Sequence, residues 1–221
     1  MQNYTMYAER IMNLNLPFVR PEDSAAQVLG LMDEYKVRHL PLVNGEEFQG
    51  LVYEEDLMEI DSETPMATLH ARPVSVAPQC HLYDLVAQWV NAEVDAMPVI
   101  DEGKYVGTVD APSILRFLAE QTHWAEKGAV IVLEVAERDL AISEIARLVE
   151  GNGTKIIACT TSQASDSSNV VVTLKLHSED IQPVIATFQR HAYTIQTFLH
   201  APKAEEEMRE RYDAFMRFLK Q

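Results

Sequence analysis

Cysteine is scarce in this sequence. Only Cys80 and Cys159 occur among 221 residues, with no CxxC spacing and no histidine at ligand spacing, which excludes a disulfide scaffold and a cysteine-built zinc site. Long apolar runs are missing too. None approaches the roughly 20 residues of a membrane span, and the opening stretch MQNYTMYAER is too polar for a secretory signal. Basic residues are outnumbered, 18 Lys and Arg against 34 Asp and Glu, for a net charge of -16. That balance repels nucleic-acid phosphate and anionic lipid at long range, so neither a nucleic-acid nor a membrane partner is expected. Nucleophile-elbow, P-loop, dinucleotide and zinc-protease patterns are all absent. The seven histidines, among them His39, His81, His123 and His191, include no i, i+4 pair. Without a converging set of groups, the expectation is a protein that is not an enzyme and holds no resident cofactor or metal. The expected setting is the reducing cytoplasm. Cys159, in the apolar stretch 156–159, reads as a small buried thiol.

What is present is an ordinary globular composition, 47% hydrophobic and 24% charged, and a repeat. Pro41 and Pro98 are 57 residues apart, and so are Gly50, which opens Gly-Leu-Val, and Gly107, which opens Gly-Thr-Val. Met32 and Trp89 keep the same offset. Pro17 and Pro73 begin the two copies one residue out of step. Self-similarity at a fixed period marks a repeated supersecondary unit. Each copy reads strand, helix, strand, strand, helix. Ser24 and Gln27 fit a capping box, and Ala25, Val28, Met32 and Tyr35 follow at helical spacing. A strand at 40–43 closes at the Asn44-Gly45 turn, and the strand at 48–53 runs into a helix from about Glu55. The second copy repeats this with Leu82, Leu85, Val86 and Trp89, a Glu102-Gly103 turn, and Ile114, Leu115 and Leu118. Pro112 lies in the first turn of the last helix, where proline is tolerated.

This pattern resembles a tandem pair of CBS domains, the modules named for cystathionine beta-synthase, over about the first 120 residues. The resemblance implies two motifs packed through their sheets, with clefts that bind adenosine-containing ligands. Nucleotide-binding members carry Gly, two residues, Ser or Thr, two residues, Asp. The hydroxyl meets phosphate or ribose, and the carboxylate offers two acceptor oxygens to the ribose diol. Here the first copy reads Gly50-Leu-Val-Tyr53-Glu-Glu-Asp56, so Asp56 is in place and Tyr53 stands for the hydroxyl. The second reads Gly107-Thr-Val-Asp110-Ala-Pro-Ser113, with Asp110 and Ser113 at the two positions. The candidate ligand residues are Arg38, Pro41, Tyr53 and Asp56 in the first copy and Pro98, Asp110 and Ser113 in the second. Glu54 and Glu55 oppose a triphosphate, Arg38 is a candidate counter-charge, and a neutral or lightly charged adenosine compound fits better than ATP. Two readings of Asp56 stand side by side, a ligand contact and a helix N-cap. Pro41 and Pro98 read as structural, fixing the start of a strand.

The second half reads as a strand at 129–135, a helix carrying Ile142, Ile145, Leu148 and Val149, and strands at 155–161 and 170–176 around a polar loop. A helix with Ile181, Val184, Ile185 and Phe188 and a strand at 193–199 complete it. Gly151-Asn-Gly153 stops the first helix. This βαββαβ order is the ferredoxin-like plan. With the stretch 137–146 it resembles an ACT domain, a module that senses amino acids, although Leu140 stands where such domains place a glycine with φ > 0. A CBS pair followed by such a module is similar to the acetoin-utilisation type of bacterial regulatory protein. The fold class expected is α+β: tandem CBS repeats over 1–122, an ACT-like ferredoxin-like module over 123–202, and an amphipathic helix over 203–221. In that last helix Met208, Tyr212, Phe215 and Leu219 form a stripe, open to packing on its own domain or to a dimer contact. Function divides between a sensor of an adenosine-containing effector, signalling to an as yet unknown protein partner, and a degenerate interaction scaffold. A homodimer is expected in either case.

Overall fold

The computed structural model describes residues 6–122, 125–164 and 168–199. The chain divides after Leu118 into two compact units. The fold is α+β, and all ladders between named strands are antiparallel.

In the first unit a short helix α1 (Ala8–Ile11) leads to α2 (Ala25–Tyr35), β1 (His39–Asn44), β2 (Glu47–Tyr53) and α3 (Glu54–Met58). The second copy is α4 (Leu82–Ala92), β3 (Ala96–Asp101), β4 (Lys104–Asp110) and α5 (Ala111–Gln121). The capping box of α2 is formed: Ser24 N donates to Gln27 Oε1 at 2.8 Å and Gln27 N to Ser24 Oγ at 3.4 Å. The repeat extends to backbone detail. Helices α2 and α4 both end on a left-handed residue, Lys36 at φ 56° and Glu93 at φ 54°. Both hairpins bulge at the same step, Leu42/Val43 and Val99/Ile100.

The stretches that lead into each copy are equivalent as well. Val19 N donates to Pro41 O and Val43 N to Val19 O, both at 2.8 Å; Val76 N to Pro98 O and Ile100 N to Val76 O, both at 2.9 Å, match them. Val19 and Val76 are therefore in step, and the one-residue slip expected from Pro17 and Pro73 arises because those prolines do not occupy equivalent places. Pro41 and Pro98 are the third residues of β1 and β3, not their first. A strand residue's nitrogen and carbonyl point the same way, so each proline ring faces the lead-in segment and no bond to the hairpin partner is lost.

The two copies share one sheet in the order β1-β2-β4-β3, joined in the middle at Glu47 and Lys104. They also exchange core residues. Leu51 and Tyr53 of β2 pack into the second copy's cluster, and Ala96 of β3 packs into the first's. Gly50 and Gly107 mark where connecting chain crosses the sheet. A Cβ on Gly50, already at φ 139°, would lie 2.6 Å from Ala71 Cβ, and one on Gly107 would lie 2.8 Å from Met12 Sδ. Beside Gly50, Leu51 N donates to Arg72 O at 2.7 Å and Arg72 N to Leu51 O at 3.0 Å; beside Gly107, Asn13 N donates to Thr108 O at 2.7 Å. The chain between the copies thus lies on the first copy, and the chain before them lies on the second.

The second unit is β5 (Ala129–Ala136), α6 (Ile142–Glu150), β6 (Ile156–Gln163), β7 (Asn169–Leu176), α7 (Gln182–Arg190) and β8 (Thr194–Leu199), in sheet order β6-β7-β5-β8. This is the ferredoxin-like arrangement. Ala129, Ile131, Leu133 and Val135 of β5 point inward at period 2 and meet Ile145, Leu148, Val184 and Phe188 of the two helices.

Several expectations change. Cys159 is exposed rather than buried, on β6, which is an edge strand among the described residues. That strand runs on to Gln163 and shortens the polar loop. Of the apolar residues on α4 and α5, Val86 and Leu115 are exposed and Phe117 is buried. Leu140 sits at φ -70° after a single 3₁₀ turn, so the loop needs no glycine. The helix expected over 203–221, with its stripe Met208, Tyr212, Phe215 and Leu219, lies outside the described residues. Among the described residues no helix is long and apolar enough to cross a membrane.

Gly50→Ala tests the crossing. Overlap with Ala71 and strain at positive φ should lower stability by about 1–3 kcal/mol, the usual cost of overpacking. Chemical denaturation reads this, and a variant as stable as the parent would mean that the crossing is loose.

Candidate functional site

A cleft of about 350 Å³ lies at the ends of β1 and β2, lined by Arg38, His39, Tyr53, Glu55, Met58 and Arg72, and also by Glu54 and Glu93. Its floor is Tyr53, which is buried at the end of β2, where the last four residues of the strand are all buried. The Arg72 guanidinium lies over the Tyr53 ring, with Cζ 3.8 Å from the centroid. That distance is within range for a cation–π contact. Arg72 Nη2 donates to Glu55 Oε1 at 2.9 Å and to Asp56 Oδ1 and Oδ2 at 3.0 and 3.2 Å. Burial pushes the Tyr53 phenol up, partly offset by the Arg72 charge.

The Tyr53 ring also meets His39 edge-on, with centroids 4.4 Å apart. His39 Nδ1 is 2.7 Å from Asp95 Oδ1, and Arg38 reaches Asp95 Oδ2 through its backbone N at 3.0 Å and Nε at 3.3 Å. Burial works to raise the Asp95 pKa, but its bonds to His39 and Arg38 outweigh that and hold it below the ordinary carboxylate value. Arg38 and Asp95 are 57 residues apart, so one repeat position carries opposite charges in the two copies, and those charges meet.

The first-copy candidates therefore separate. Tyr53 and Arg38 line the cleft, and Asp56 meets it through Arg72. Pro41 lies within β1 as a structural residue. Asp56 is not the helix N-cap: Tyr53 holds that position, with no side-chain cap bond, and Asp56 is the third residue of α3. Arg38 is committed to Asp95, and the cation beside Asp56 is Arg72. Sequence reading missed Arg72, Asp95 and Asn13. The repeat register held a signal for Asp95, since it aligns with Arg38. None existed for Arg72, which comes to Asp56 only through the crossing at Gly50.

In the second copy the polar candidates serve the backbone. Asp110 Oδ1 accepts from Ser113 N at 2.7 Å and also from Ser113 Oγ, and Asp110 Oδ2 accepts from Asn13 Nδ2 at 2.7 Å. Asp110 is thus the cap of α5, and both it and Ser113 are buried. Pro98 lies within β3. A separate cleft of about 500 Å³ is lined by Leu14, Pro17, Phe18, Arg20, Tyr105 and Gly107, away from Asp110 and Ser113. In the second unit, a cleft of about 500 Å³ is lined by Glu134, Asp139, Glu144, His191 and Tyr193. No group of three or more His, Cys, Asp or Glu among the described residues is arranged to hold a metal ion.

The family model for the CBS domain matches residues 8–63 and 67–120, one match on each copy. The first half of this chain is a tandem CBS pair. A curated relative from Thermofilum pendens, an uncharacterized 33.4 kDa protein in a ribosomal RNA operon, is 25% identical over 150 residues. That match takes in 60% of this chain and 48% of the relative, so the chain spans about half the relative's length. Solved structures similar to the CBS pair include a CBS domain pair/ACT domain protein from Thermotoga maritima, 19% identical, covering 52% of this chain and 98% of that one at a TM-score of 0.47. A protein from Vibrio cholerae assigned to acetoin utilization is 21% identical, covering 52% and 92% at a TM-score of 0.47. CBSX2 in complex with AMP is 24% identical, covering 53% and 98% at a TM-score of 0.46.

Asp110 gives a pH test of the capping role. Burial raises its pKa, but hydrogen bonds from Asn13 and Ser113 outweigh burial and lower it. The stability it supplies is therefore complete above the ordinary carboxylate range near 4 and is lost as pH falls through the lower folded value. Asp110→Ala should cost about 0.5–2 kcal/mol at neutral pH, the usual worth of an N-cap, and the gap to the parent should narrow as pH falls below the ordinary carboxylate range. Denaturation midpoints across that range measure it. A gap that does not narrow would show that the charged cap is not what the substitution removes.

Proposed function

We propose that this chain is a regulatory, non-enzymatic sensor whose first CBS cleft binds an adenosine-containing effector and signals through a conformational change read by a protein partner. The observation that carries this reading is the cluster of Tyr53, Arg72 and Asp56 at the first cleft. It offers an aromatic face, a cation and a carboxylate at the position where the family recognises ribose. The cleft carries Glu54, Glu55 and Glu93 against Arg38 and Arg72, so at most a lightly charged compound is suited and a triphosphate is disfavoured. The working assignment of contacts is Arg38, Tyr53 and Asp56, with Pro41 shaping the wall. The second reading, a degenerate interaction scaffold, is favoured at the second copy, where Asp110 and Ser113 are tied into the cap of α5. Residues 1–122 are taken as the sensing module and 123–202 as an ACT-like module serving assembly. The free thiols Cys80 and Cys159 suit a reducing cytoplasm.

Two surfaces support a homodimer. Helix α4 exposes Tyr83 and Val90 at 78% and 68%, and β6 is an edge strand of eight residues without a charged side chain. Unprotected edges invite pairing, and two copies of an acidic chain meet most readily where neither bears charge.

A thermal-shift panel of adenosine compounds and amino acids tests the sensor, since a ligand specific to the native state raises its stability. Asp56→Ala should weaken binding of the active compound by roughly 1.5–3 kcal/mol, the range for a hydrogen bond to a charged group. Calorimetry showing unchanged affinity with the fold intact would remove Asp56 from the site. Light scattering at micromolar concentration should give twice the chain mass of 25.0 kDa. A mass near 25.0 kDa at all concentrations would rule out the dimer.

A further inference from the structure

We propose that Arg72 is a specificity latch on the first cleft: it occupies Asp56 and Tyr53 in the free protein, and an effector gains both by drawing the guanidinium onto an anionic group of its own. The inference rests on the adenosine reading above and adds to it the ligand's charge class, one phosphate or carboxylate.

The geometry gives the reason. Three carboxylate oxygens, one from Glu55 and two from Asp56, lie within 3.2 Å of the single nitrogen Nη2, which carries only two hydrogens. Both Asp56 oxygens thus face a cation, whereas a ribose diol needs both as acceptors. The same guanidinium covers the face of Tyr53, where a flat base would stack. One side chain therefore blocks the two features that suit the cleft to a nucleoside.

The latch can open at low cost. Side-chain exposure is 43% for Arg72, 33% for Asp56 and 71% for Glu55, so these pairs are screened and weak. Only the side chain needs to move, because the Arg72 backbone is pinned by its two bonds to Leu51. An anionic group on the ligand replaces the carboxylates as the partner of Arg72, which keeps the guanidinium paired while Asp56 is released. A neutral nucleoside must break the pair and offers nothing in return. A polyphosphate would satisfy Arg72 but would also face Glu54, Glu55 and Glu93.

Adenosine and AMP differ only by one phosphate and serve as probes. Calorimetry on the full chain compares them for the parent, Arg72→Gln and Arg72→Lys. For Arg72→Gln we expect adenosine to bind about two- to fivefold tighter, the scale of a screened ion pair, and AMP to bind at least about tenfold weaker, the scale of a lost charge-assisted bond. Arg72→Lys should lie between the two. If both compounds bind and their affinity ratio is unchanged in Arg72→Gln, the latch is wrong while the sensor reading stands. If neither compound binds the parent or the variants, both fall. The parent alone supplies a check that does not depend on a variant folding: raising salt from about 0.05 to 0.5 M should strengthen adenosine binding and weaken AMP binding. A parallel response of the two would overturn the latch.

Discussion

At Gly50 the backbone of Ala71 passes so close to the sheet that a Cβ would overlap it, and at Gly107 a Cβ would meet the side chains of Met12 and Leu14. The tandem architecture depends on those two crossings. The chain between the copies is held on the first by Leu51 and Arg72, and the chain before them is held on the second by Asn13 and Thr108. Each copy is thereby fastened by a segment that belongs to the lead-in of the other. The exchange of core residues between the clusters follows from the same interleaving, since alternate residues of β2 serve different copies.

The crossings also decide the chemistry of the two copies. They deliver Arg72 to the first cleft and Asn13 to Asp110 at the start of α5, at equivalent places on the sheet. In the first copy the incoming residue is a cation, and it meets Asp56 and Tyr53 at an open surface. In the second it is an amide that meets Asp110, whose carboxylate is already accepting from Ser113 as the cap of α5. Two copies of one supersecondary unit have thus diverged, one keeping a solvent-reachable carboxylate and the other using its carboxylate to hold the fold. The contact between Arg38 and Asp95 has the same origin, an opposite charge placed at each of two equivalent positions.

The repeat and the βαββαβ order were legible in the sequence because both rest on local signals. Spacing of Pro41 and Pro98, helical periodicity, the Ser24 cap and the Asn44-Gly45 turn need no knowledge of long-range contacts. Less legible were features fixed by where a segment lies in the sheet. Cys159 reads as core from its apolar neighbours, yet β6 is an edge strand and leaves it exposed. Leu140 reads as a misfit for glycine only if the loop takes a positive φ, and a 3₁₀ turn removes that need. In the candidate site, Tyr53 and Asp56 follow from the motif, and Arg38 lines the cleft while pairing with Asp95. Arg72 was invisible because 16 residues separate it from Asp56 and only the crossing at Gly50 brings them together.

We propose that recognition belongs to the first copy alone. Amide chemical-shift mapping of the full chain during titration with AMP tests it most directly. Shifts are expected at residues 51–56 and at Arg72, with residues 109–113 unmoved. Shifts centred on Asp110 and Ser113, or none in either copy, would contradict it.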